Sequence, residues 1–216
     1  DAPSWTKHGS RTLPDDLGAV YEFCRYLARH FQGRVAAWEF WNEMDIGFCQ
    51  ESGWDYAAAH KAAYLGFKDG DVTVPVLLGS FAVMPPSPFA TCLFENGIVD
   101  YFDIFNIHSY ESLSSLPGAV KHLFNFLAVH NAGSLPVWMT ECGTKEEGSG
   151  ARASVVRPGV WEHDEKQERF YAGFLPKIQI ILQSLGIERS FFFVFPPVLS
   201  VPDTVRQNRC YVRQKK

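Results

Sequence analysis

No apolar run in this 216-residue chain approaches the roughly 20 residues that a membrane helix needs. The densest, Phe191 to Pro197, has the length of a strand. The formal net charge of -4 comes with both signs scattered, without a basic stripe or an acidic block, so neither nucleic acid nor a membrane is expected as a partner. The closing Arg213-Gln214-Lys215-Lys216 reads as a solvated terminus. Five cysteines, at positions 24, 49, 92, 142 and 210, follow no zinc spacing, and an odd count makes no disulfide framework. Buried free thiols are expected, with Cys142 placed beside a carboxylate. Neither G-x-G-x-x-G nor a Walker motif occurs, which argues against a doubly wound nucleotide-binding sheet. No signal peptide is visible. The first residue is Asp1 rather than Met, which reads as a processed or cut terminus.

What is present is ample material for one core: 46% hydrophobic and 15% aromatic residues. The chain reads as a single domain over residues 1–216, with a tail at 197–216 that carries no convincing regular structure. After a polar, turn-rich start, Pro14-Asp15-Asp16 opens a helix whose Leu17, Tyr21, Cys24, Leu27 and Phe31 recur at helical spacing. A strand at 35–41 follows, then an alanine-rich helix at 54–67, broken by Asp69-Gly70-Asp71. Further strands are expected at 74–78, 102–108, 135–140 and 190–195. Helices are expected near 89–96, from Pro117, and over 164–185, the last carrying a kinking Pro176 and ending at Gly186. Helix and strand thus alternate five times. Strict alternation implies parallel strands with helical crossovers, and the mostly apolar strands fit a sheet covered on both faces.

Two strands end in acids. Trp38-Glu39-Phe40-Trp41-Asn42-Glu43 delivers Glu43, and Val137-Trp138-Met139-Thr140-Glu141 delivers Glu141. Side chains alternate along a strand, so Glu39, Trp41 and Glu43 are expected on one side, as are Val137, Met139 and Glu141, and Ile104, Asn106, His108 and Tyr110. In a (β/α)8 barrel, chemistry gathers at the C-terminal ends of different strands. Two carboxylates meeting there, one protonated and one ionised, can cleave a glycosidic bond. Glu39, two residues below Glu43, reads as a buried structural acid with a cationic partner, and Asn106 as a hydrogen-bonding core residue. His108 and Tyr110 stand between substrate positioning and packing. Trp161 and His163, after a long loop, either border the site or pack on the surface, as does Trp5.

Trp38 to Glu43 resembles the fourth strand of retaining glycoside hydrolases of clan A, and glycoside hydrolase family 39, the xylosidase and iduronidase group, is the most similar. The resemblance covers about residues 10–196. It implies that Asn42 binds a substrate hydroxyl and Glu43 is the acid/base. Val137 to Gly143 resembles the seventh strand, which makes Glu141 the nucleophile. Phe105 to Tyr110 resembles the sixth, whose His or Tyr helps to bind substrate and hold the nucleophile. Retention through a glycosyl-enzyme, carboxyl groups about 5 Å apart, an oligosaccharide or polysaccharide substrate and no metal or organic cofactor are implied. The sequence departs from the clan in having no Trp in Phe191 to Phe195 and Met44 where Pro is common. An endo-glucanase or mannanase of the same clan, or a non-catalytic carbohydrate-binding partial barrel, are the alternatives.

On this alignment only strands four to eight are present, and five strands cannot close an eight-stranded barrel. The exposed edge of the first strand calls for a cover. The cover is expected to be a missing N-terminal half of a longer enzyme, or another copy in a homo-oligomer.

Overall fold

The computed structural model describes residues 11–146, 149–152 and 163–194. Within them, five helix–strand units follow one another: α1 (Leu17–His30) and β1 (Trp38–Glu39), α2 (Gly53–Gly70) and β2 (Val76–Leu77), α3 (Pro88–Glu95) and β3 (Phe105–Ser109), α4 (Leu116–Val129) and β4 (Val137–Cys142), α5 (Glu165–Ser184) and β5 (Arg189–Phe192). Short 3-10 turns, unforeseen in the sequence, sit at Ile98–Tyr101 and Gly150–Arg152. The strands are shorter than the apolar runs that announce them. The tail at 197–216 lies outside the described residues.

Local chemistry sets the helix ends. Asp16 caps α1 by accepting from the Ala19 N–H at 3.1 Å. Ser52 caps α2, and Asp164 forms a capping box with Gln167 at the start of α5. Pro176 lies inside α5 and Gly186, with φ of 87°, follows its end. One boundary differs from expectation: Asp69-Gly70-Asp71 does not break α2, which runs on to Gly70 and closes through the Asp71 N–H on Phe67 O at 2.8 Å. Close packing on α1 explains the glycines. A Cβ at Gly66 would stand 2.2 Å from Tyr21 O, and one at Gly70 would stand 2.5 Å from the Ala28 Cβ. Here Gly serves contact between helices, and its weak helix propensity is overridden.

All strand pairs are parallel, β1 with β2 and β3 with β4 with β5. Bridges Leu77–Ile104 and Phe81–Ile107 join the two sets, so the strands stand in chain order as an arc of a (β/α)8 barrel. Among the described residues β1 and β5 are its two open edges. Alternation divides the arc into two faces. The outer face carries Val76, Leu78, Phe105, Ile107, Val137 and Met139 into the main apolar clusters beneath the helices. The inner face carries Leu77, Ile104 and Trp138 as a small apolar floor.

Candidate active site

Polar side chains stand above that floor. Asn106 and His108 continue the inner row begun by Ile104, as their alternation predicts. Asn106 Oδ1 accepts from the Thr140 hydroxyl at 2.9 Å, and His108 pairs with both carboxylates.

Glu43 arrives differently from expectation. β1 ends at Glu39, and the chain then passes through Trp41 at φ of 78° and Glu43 at φ of 47°, both in the left-handed region. Non-glycine residues hold such values only when their surroundings compel it. Strand alternation therefore does not continue from Glu39 to Glu43, and Trp41 packs against the main core with its indole N–H on Phe48 O at 3.1 Å. Several contacts hold the turn. The Glu43 N–H donates to Ser80 Oγ at 3.0 Å. The Asp45 carboxylate accepts the Ala82 and Val83 N–H groups, each at 2.8 Å. The Tyr56 hydroxyl donates to Phe40 O at 2.8 Å, so close to Gly79 that a Cβ there would lie 2.2 Å from it.

Glu141 reaches the site through a bulge. Ile107 stands opposite Met139, but His108 stands opposite Glu141, which leaves Thr140 as the extra residue in β4. Val137 and Met139 consequently belong to the outer core, and Glu141 does not share their side as expected. The bulge turns the neighbouring Thr140 and Glu141 toward the same imidazole.

One donor atom each from Glu43, His108 and Glu141 lies within 4.8 Å of the others. His108 Nδ1 is 3.0 Å from Glu43 Oε1 and 3.5 Å from Glu141 Oε2. The Tyr110 hydroxyl donates to Glu141 Oε2 at 2.6 Å. Burial, followed by that contact, pushes the Tyr110 hydroxyl well above its ordinary range, so it stays protonated as a donor. His108 Nε2 is 3.0 Å from Thr140 Oγ1. A carboxylate pair with an imidazole can do proton transfer and nucleophilic attack, and the same donor set could hold a divalent cation.

Glu39 stands on the open side of the arc, exposed to solvent yet crowded by Ser80, Thr140 and His108. Burial of its carboxyl on the protein side is the larger effect and raises it above the usual carboxylate range. The expectation of a buried acid with a cationic partner is met in part: the residue is exposed on its open side, no lysine or arginine pairs with Glu39 among the described residues, and the ring of His108 is the cation-capable group beside it. Asn42 is exposed and makes no hydrogen bond among the described residues. His163 stacks on Tyr171 at 4.9 Å, against α5. Trp161 and Trp5 lie outside the described residues. Cys142 is buried as a free thiol, and desolvation pushes it up to about 12, which favours the protonated form. Among the described residues no helix is long and apolar enough to cross a membrane.

Three residues that hold the site escaped the sequence reading: Asp45, Ser80 and Thr140. Each acts through a contact remote in sequence, and only Thr140, beside Glu141, carried any local hint.

No protein-family model matches the chain, and no curated protein matches it. Solved structures do. The chain is similar to a glucosidase from Croceicoccus marinus, with TM-score 0.64 and 16% identity over 84% of this chain and 39% of that one. It is similar to an α-L-arabinofuranosidase from Thermotoga maritima, with TM-score 0.59 and 15% identity over 87% of this chain and 43% of that one. A family 39 β-xylosidase from Caulobacter crescentus gives TM-score 0.52 and 21% identity over 65% of this chain and 33% of that one. The chain therefore spans less than half the length of each. At these identities the likeness shows the fold, an arc of the (β/α)8 barrel.

Proposed function

We propose that this chain is the acid-bearing part of a retaining glycoside hydrolase of clan A, nearest to family 39, acting on an oligosaccharide or polysaccharide. The observation that carries the reading is the meeting of Glu43 and Glu141, from separate strands, with donor atoms within 4.8 Å around His108. That closeness suits a covalent double displacement, which needs carboxyl groups about 5–5.5 Å apart, better than the wider separation of an inverting mechanism. Glu43 protonates the glycosidic oxygen while Glu141 attacks the anomeric carbon. Water, deprotonated by Glu43, then releases the sugar with its configuration retained. Tyr110 donates to Glu141 and so presents it as an acceptor, the part a nucleophile plays. Asn42, exposed beside Glu43, is free to receive a sugar hydroxyl. Trp161 is assigned to the same substrate surface from the sequence.

The test is a panel of nitrophenyl glycosides. Glu141→Ala lowers turnover by roughly four orders of magnitude, and azide restores release as an azido sugar. Proton NMR that finds the inverted anomer first rejects the mechanism. Unchanged turnover in EDTA is expected; loss of turnover restored by a divalent cation would assign the carboxylates to a metal instead. A second reading is a carbohydrate-binding arc without turnover. Oligosaccharide binding with no release from any glycoside would select it.

A further inference from the structure

His108 touches two acids through one nitrogen and a hydroxyl through the other, and which nitrogen carries the proton decides what Glu43 can do. The neighbours settle this. The Thr140 backbone N–H donates to Asn106 Oδ1 at 3.3 Å, which fixes the amide with its oxygen toward Thr140. The Thr140 hydroxyl has the same oxygen at 2.9 Å and the Glu39 carboxylate as its acceptors, so its only proton is directed away from the ring. What Thr140 Oγ1 offers His108 Nε2 at 3.0 Å is therefore a lone pair, and Nε2 must be the donor. In the neutral ring Nδ1 then has no proton, and it lies 3.0 Å from Glu43 Oε1. Asn106 is fully buried and its Nδ2 has no partner. A polar group left unsatisfied at this depth costs on the order of 1–3 kcal/mol, which indicates that its oxygen is held for a purpose.

We infer that Asn106 and Thr140 are positioning residues that lock His108 in the Nε2–H tautomer, so that Nδ1 holds the proton of Glu43 in place for transfer to the leaving oxygen. The inference rests on the glycosidase reading for its purpose, although the tautomer itself does not. The bulge in β4 makes the lock possible, because it puts Thr140 and Glu141 on one side of the strand. In the first step the proton passes from Glu43 to the leaving oxygen as the glycosidic bond breaks, and in the second Glu43 takes one back from the attacking water, so the proton count of the site is restored over a turnover. The charged groups facing the ring are Glu43 from the turn after β1, Glu39 from β1 and Glu141 from β4. Tyr110, which stays protonated, lies beyond Glu141.

The experiment is NMR of the chain labelled with 15N-histidine, reading which ring nitrogen of neutral His108 is protonated; His108→Phe identifies its signals among the 7 histidines. The wild type is expected to show Nε2–H, Thr140→Val a mixture with Nδ1–H, and Thr140→Ser the wild-type pattern. In the kinetic arm, Nδ1–H donating to Glu43 favours the carboxylate, so Thr140→Val moves the basic limb of kcat/KM to lower pH. It costs about tenfold on the alkaline side, the size of one lost hydrogen bond, and Thr140→Ser restores it. Nδ1–H in the wild type, or an unchanged spectrum in Thr140→Val, overturns the lock. Should Thr140→Val not fold, the wild-type spectrum decides alone. The expected tautomers in a chain that cleaves no glycoside uphold the lock and sink the glycosidase reading; the wrong tautomer in an active enzyme does the reverse.

Discussion

The two faces of the arc are built from alternate residues of the same strands, yet they obey different rules. On the outer face Phe81, Phe105, Ile107 and Met139 are fully buried, and Phe81 and Phe105 stack with centroids 5.3 Å apart. No irregularity of register or backbone is needed to place them. The inner face holds three carboxylates and the bulge of β4, the turn after β1 that delivers Glu43 has two non-glycine residues at positive φ, and among the described residues the inner face also has both buried side-chain donors that lack a partner, Trp138 Nε1 on the floor and Asn106 Nδ2 above it. One face is arranged for burial, which stabilises by about 25 cal/mol per Å² of apolar surface. The other keeps like charges close and leaves hydrogen bonds unmade, which opposes folding. Stability and chemistry are thus separated by a single step of strand alternation.

The largest test of that separation is Phe105→Ala. Phe105 has no solvent exposure and meets Phe81 and Phe102. Its removal is expected to cost about 3–5 kcal/mol in urea unfolding, the range for buried aromatic truncations. The kcat of the fraction that stays folded should not change. A fall in kcat matching the loss of stability would break the comparison, since the outer face would then shape the site.

The same division explains what could be read from the sequence. The five helix–strand units, their parallel order and the identity of His108 and Tyr110 as rim residues follow from periods of 3.6 and 2, which the outer core enforces over many residues at once. The faces of Glu43 and Glu141 did not follow. Each is placed where periodicity fails, one past a strand end at positive φ and one beside a bulge. Both devices depend on partners far along the chain: Ser80 and Asp45 for the turn, His108 and Asn106 for the bulge. A local pattern contains no trace of such contacts. The acids were still found because their residue types and neighbours are distinctive, which is a different kind of information from their geometry.

Asp45 allows a middle-sized test at the boundary between the faces. Its carboxylate ties the turn that carries Glu43 to the backbone of Ala82 and Val83. Asp45→Ala leaves two N–H groups without that acceptor, a loss of about 1–3 kcal/mol. The turn then holds Glu43 less firmly, and kcat should fall on the order of 10-fold to 100-fold with little change in KM, as expected when a reacting group loses its alignment. A rise in KM with kcat preserved would make Asp45 a substrate contact rather than a brace.

The smallest effect belongs to Glu39, and its sign decides more than its size. Burial raises its carboxyl above the ordinary 4.5, and Glu141 adds to that, while His108, Ser80 and Thr140 oppose it. The native chain therefore keeps this proton to a higher pH than the unfolded chain does. Below the unfolded value both states are protonated and Glu39 is neutral toward folding; as pH rises from 4.5 through the raised native value, ionisation is increasingly unfavourable to the native state. Glu39→Gln imitates the protonated form. It should raise Tm slightly at about pH 7 and have no effect near pH 4, the gain being small because solvent reaches the open side of the arc. If Glu39→Gln lowers Tm at neutral pH, the carboxylate is stabilised by a cation after all, and the inner face is less strained than its hydrogen bonds imply.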